Sequence, residues 1–164
     1  MALPRGIRNN NPLNIRRSKD QWKGLAEQQN DRAFCQFKSM EWGWRAAFYL
    51  LTRTYYHKYR LYTIRTIIHR WAPSCENNTE AYVANVSRLT GIDPDKPLGN
   101  PSESPSVWMM VGVAMAIHEN GLMKREQSDA RNSSAEREDR RATLNDITLT
   151  DYFAMLRGWE LLKQ

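Results

Sequence analysis

Apolar residues recur along this chain at spacings that alternate between three and four, the signature of helices with one buried face. Trp44, Phe48, Leu51 and Tyr55 follow at steps of four, three and four and predict a helix over 40–58, entered at Ser39. Ile64, Ile67, Ile68 and Trp71 predict a second over 64–71, capped by Thr63. Ala72-Pro73 ends it, because proline cannot donate a helical hydrogen bond. Asn77, with Glu80 three residues on, resembles a capping box for a third helix, 78–90. Its buried face is Tyr82, Val83, Val86 and Leu89, and Gly91 is its stop.

After the loop 91–104, rich in Pro, Gly, Asp and Ser, the pattern changes. Ser104 and Pro105 open a fourth helix, 105–119, that is apolar on nearly every side, so it belongs in the middle of a domain. Thr150 caps a last amphipathic helix, 151–162, with Phe153, Leu156 and Trp159 on one face. Between these two, 11 of the 18 residues from Lys124 to Arg141 are charged, which reads as a solvated helix or a linker. Near the N-terminus, Trp22–Glu27 and Arg32–Phe37 flank the turn-rich QNDR and predict two short strands in a hairpin. The fold class is therefore α+β, mostly α. Residues 1–122 form one domain, 123–148 the charged connection, and 149–164 a helix that packs back on that domain.

The first ordered segment is polar and irregular. In GIRNNNPLNIR, Pro12 pushes Asn11 into an extended backbone, and Asn side chains bond their own backbone in turns. The amides of Asn9, Asn10, Asn11 and Asn14 pair donors with acceptors without charge, which suits an amide-rich ligand such as an N-acetylated sugar.

Composition narrows the function classes. The net charge is +6 and the pI about 9.5, which favours polyanionic partners, whether nucleic acid or an anionic cell wall. The six Trp, seven Tyr and four Phe fall mainly on helical core stripes rather than on an exposed strand face, which counts against base stacking. No apolar run is long enough for a membrane span. The N-terminus has no apolar stretch of the secretory kind, so the chain is expected to be made in the cytoplasm. It would then reach a wall after lysis, within a virion or by a non-classical export route. Cys35 and Cys75 have no metal or redox spacing, and no cofactor or metal is implied.

Glu119 is the leading titratable candidate. It ends the apolar helix 105–119, beside the negative pole of the helix dipole, and partial burial there disfavours charge. A carboxylic acid in such a place suits general-acid cleavage of a glycosidic bond. Glu76, between two helices in WAPSCENNTEAY, is the second candidate. Glu27 and Asp31 beside the hairpin are possible sources of a second carboxylate, at a separation that sequence does not give.

GIRNNNPLNIR, WKGL, FCQF with Ser39, GWRAAFYLL, TIRTIIHRWAP, ENNTEAYVANVSRLTG and AIHENG together resemble a phage and prophage family of virion structural proteins considered lysozyme-like. More distantly, NNPLNIR, WKG, FCQF and APSCENNTEAY resemble, in that order, motifs of bacterial cell-wall glucosaminidases and lytic transglycosylases. This resemblance implies a groove lined by Asn11, Asn14, Trp22, Gln36 and Tyr82. In those enzymes a helix ending in the catalytic Glu comes first; here the apolar helix ending in Glu119 follows, which implies a circularly permuted lysozyme-like fold. The expected function is cleavage of peptidoglycan glycan strands by a single Glu. The alternatives are a non-catalytic virion structural or wall-binding protein, partnered by other virion proteins, and a basic nucleic-acid-binding protein.

Overall fold

The computed structural model describes residues 3–75, 78–121, 143–144 and 147–164. Glu76, Asn77 and most of the charged segment lie outside the described residues. A single turn α1 (Arg5–Arg8) precedes α2 (Met40–Phe48), which runs on as a π-helix (Tyr49–Lys58). Then come α3 (Ile64–Trp71), α4 (Thr79–Thr90), α5 (Pro105–Asn120) and α6 (Leu149–Glu160), the last followed by a 3₁₀ turn (Leu161–Lys163).

The apolar stripes read from the sequence build the core. Trp44, Phe48, Leu51, Ile64, Ile67, Ile68, Val83, Val86, Trp108 and Met115 are fully or almost fully buried in one cluster. As its composition requires, α5 is central: α4 packs against it, and so do α1, α2 and α6. Gly112 lets α5 approach the Phe48 ring, and Gly158 lets α6 lie on Trp44 and the backbone of α2. A second, smaller cluster of Ile15, Cys35, Phe37 and Ala46 sits beneath the N-terminal loops and is closed by Trp22, Leu25, Trp42, Leu50 and Trp71.

The hairpin differs from expectation. Strands 22–27 and 32–37 are reduced to isolated antiparallel bridges, Arg16 with Phe34 and Leu25 with Phe37. Side chains have taken the backbone groups that a ladder would need. Asp31 Oδ1 accepts from the N–H groups of Ala33 and Phe34, Gln29 Oε1 from that of Gln36, and Gln36 Oε1 from that of Asn30. Such local bonds compete directly with sheet formation.

The helix over 40–58 is present, but its second half winds as a π-helix, a rare form. Thr52 Oγ1 donates to Phe48 O at 2.7 Å where the winding changes. The helix 64–71 has the expected bounds, with Thr63 and Thr66 forming a reciprocal capping box. Two caps move: Asn78 caps α4 through the N–H of Ala81, and Thr148 caps α6 through that of Asp151, so α6 starts two residues early. Its buried face is then Ala154, Met155 and Gly158, and Phe153 is 58% exposed.

Candidate functional site

The N-terminal loop is built by its asparagines. Asn11 Oδ1 accepts from the N–H of Ile15 at 2.8 Å, while its Nδ2 donates to the carbonyls of Ile15 and Cys35 at 3.0 and 2.9 Å. That clamp closes residues 11–15 and holds them to the segment around Cys35. Inside it, Asn14 takes a left-handed backbone (φ 53°), a conformation that asparagine tolerates better than most residues. Asn120, at the end of α5, donates from Nδ2 to Pro12 O at 2.7 Å, which docks the loop on the helix terminus.

Docking brings Asn14 to Glu119. Asn14 Nδ2 donates to Glu119 Oε2 at 3.2 Å. The other oxygen, Oε1, accepts from Tyr82 OH at 3.1 Å and from Trp71 Nε1 at 3.3 Å. Four separate elements (the loop, α3, α4 and α5) thus converge on one half-buried carboxylate. Three donors fix its rotamer, and an ionised carboxylate accepts all three without conflict.

Glu119 faces a cleft of about 350 Å³. Asn14, Ile15, Arg16, Phe34, Leu50, Tyr55, Trp71 and Ala72 line it together with Glu119. The π-helix matters here. Under α-helical winding Leu50 and Tyr55 would lie about 140° apart; the wider i→i+5 turn brings both to the cleft. Burial pushes the Tyr55 phenol up to about 12, and burial beside Glu119 raises the Tyr82 phenol well above its usual range, so both keep their protons at neutral pH. His118 stacks on the Tyr82 ring at 3.8 Å, and burial lowers its pKa. Among the described residues lining the cleft, Glu119 is the one carboxylate.

Over 112 residues the chain is 42% identical to Protein P5 of Pseudoalteromonas phage PM2, an alignment that covers 66% of this chain and 69% of that protein. The chain belongs to the family of that phage protein. No family model matches it. Among the described residues, no helix is long and apolar enough to cross a membrane.

For this member of the P5 family, the residues singled out in the sequence lie in different places. Glu119 and Asn14 meet at the cleft, and Tyr82 lies beneath them at 3% exposure, its hydroxyl on Glu119 rather than its ring toward a ligand. Asn11, Trp22 and Gln36 do not line the cleft. Asn11 has no exposed surface and its amide is engaged by backbone. Trp22 packs edge-on against Tyr49, and Gln36 bonds Asn9 and Asn30. Glu76 lies outside the described residues. Asp31 is claimed by Arg5 (2.6 and 2.7 Å) and Asn9 (3.0 Å), and Glu27 is exposed. From its spacing alone, Trp71 falls only on the core stripe of α3. Its position in the last turn of α3, just before Ala72-Pro73, is the signal that its indole edge could be free to reach another element.

Proposed function

We propose that this phage-family protein cleaves the glycan strands of peptidoglycan, with Glu119 as a single general acid–base. The observation that carries the reading is the convergence of Asn14, Trp71 and Tyr82 on Glu119 at the wall of a cleft large enough for a sugar unit or two. Acting as acid, Glu119 gives a proton to the glycosidic oxygen as the bond to the anomeric carbon breaks. The resulting carboxylate is stabilised by the Tyr82 and Trp71 donors. It then takes the proton of the sugar's own hydroxyl as that oxygen closes on the anomeric carbon, which is lytic-transglycosylase chemistry and needs no second carboxylate. The end of α5 meeting the N-terminal loop supports a lysozyme-like arrangement in permuted order. Release within a virion or at lysis would bring the protein to the wall.

A second reading is a non-catalytic virion structural or wall-binding protein. It is favoured by the tie that Glu119 makes between the N-terminal loop, α3 and α4, as a structural buttress would. The Glu119→Gln variant separates the two. Glutamine keeps an acceptor for Tyr82 and Trp71, and a turned Asn14 amide can accept from its new NH₂. Loss of wall turbidity catalysed by the native chain should fall about 10²–10⁴-fold in the variant, equivalent to about 3–5 kcal/mol of barrier. Equal activity in both proteins, or none in the native chain, refutes the enzymatic reading.

A further inference from the structure

We propose that Arg16 makes the Glu119 cleft selective for a carboxylate-bearing glycan, binding an acidic group next to the bond presented to Glu119. The inference rests on the wall-acting reading and names the substrate class within it. Arg16 and Phe34 face each other across an antiparallel bridge. The flanking bonds, Arg17 N–H to Ala33 O at 2.8 Å and Cys35 N–H to Ile15 O at 2.9 Å, make them a non-hydrogen-bonded pair. Side chains of such a pair lie close on one face of the two segments. That face lines the cleft, and the Arg16 guanidinium rests over the Phe34 ring at 5.2 Å.

Its backbone is therefore fixed from both sides and its head has a platform, yet the charge is uncommitted. Arg5, on the same ring at 4.5 Å, is bound bidentately to Asp31. Arg65 holds Glu80 and Asp95. Among the described residues no carboxylate pairs with Arg16, and its side chain is exposed. A planar guanidinium with free donors, preorganised at the lip of a cleft, matches a carboxylate in a two-pronged geometry. In a peptidoglycan strand the carboxylate could be the lactyl group of the sugar or belong to the stem peptide.

The test is binding of the full chain to four probes: glycan strands stripped of stem peptides, strands that keep them, chitooligosaccharides of equal length, and a single-stranded DNA oligonucleotide. The native chain should bind the carboxylate-bearing strands at least about tenfold more tightly than the neutral chitooligosaccharide. Arg16→Gln should lose affinity for the carboxylate-bearing strands by about that factor and for the chitooligosaccharide by much less, and Arg16→Lys should restore part of the difference. The unfolding midpoint of Arg16→Gln should match the native one, since the side chain is exposed and Arg5 still covers Phe34. Discrimination confined to peptide-bearing strands supports the proposal and assigns the carboxylate to the peptide. Glycan binding without discrimination, or equal losses on charged and neutral probes, overturns it and leaves the wall-acting reading standing. Arg16-dependent binding that is tighter for DNA than for any glycan overturns it in favour of a nucleic-acid site. Failure to bind any glycan overturns both.

Discussion

Gly6 offers a direct test of whether the N-terminal turn is docked on the end of α5. A Cβ at this position would be in contact with Asn120 Oδ1 and would lie 2.7 Å from Asn11 O and 3.0 Å from Asn14 Oδ1. The two side-chain oxygens are buried and, among the described residues, have no hydrogen-bond partner; the missing Cβ leaves them room. Gly6 lies in a helical turn and not at positive φ, so alanine would on local grounds favour that turn by about 0.5–1 kcal/mol. Overpacking opposes this with about 1–3 kcal/mol. The upper part of that range applies, because one of the three atoms is a backbone oxygen clamped within the loop. The net loss is then about 2 kcal/mol, which for a domain of this size lowers the melting temperature by about 4–8 °C. The displaced Asn14 and Asn120 would also loosen the grip on Glu119, so the wall activity proposed above should fall in step. Thermal unfolding followed by circular dichroism is the assay. An unchanged or higher midpoint for Gly6→Ala would mean that only the local helix term operates, and that α1 does not pack on α5.

Two further outcomes are expected. The Arg5 guanidinium and the Asn9 amide hold the Asp31 carboxyl well below the usual carboxylate range. A folded pKa depressed in this way contributes stability that is present above the unfolded value of about 3.9 and is lost as pH falls below it. Asp31→Asn should therefore flatten the acid limb of stability against pH, and a limb of unchanged steepness in denaturant titrations would refute this. The thiols should also differ: Cys75 is exposed, whereas Cys35 is buried and burial raises its pKa. A thiol-reactive dye should label one cysteine rapidly in the native protein and both in denaturant, and two rapidly labelled thiols would contradict the packing of the second cluster.

Much of the helical framework was readable from local signals. Thr63 and Ala72-Pro73 bracket α3 because a capping box and a proline act within a turn of their own position. Pro105 and the apolar run that follows place α5 in the core for the same reason. Glu119 was legible as a carboxylate at the end of a buried helix, but its partners were not. Asn14, Trp71 and Tyr82 reach it across 105, 48 and 37 residues, and no periodicity carries that information. The Asn11 amide holds its own loop, because an amide able to bind a sugar can equally clamp backbone. The reduced hairpin has a similar origin: Gln29, Asp31 and Gln36 read as strand and turn residues, yet their side chains displaced the ladder. The π winding of 49–58 left the apolar stripe almost unchanged, so spacing alone could not disclose that Leu50 and Tyr55 share a face.

The bonds from Asn14 to Glu119 and from Asn120 to Pro12 close the chain over 105 and 108 residues. Contacts this remote carry a high loop-closure entropy, which must be met before they return anything. During synthesis the amide loop emerges first and waits for its carboxylate until α5 has left the ribosome. A chain interrupted before residue 119 would thus carry every wall of the cleft except the acid, and the assembled site marks a chain whose central helix has already been delivered.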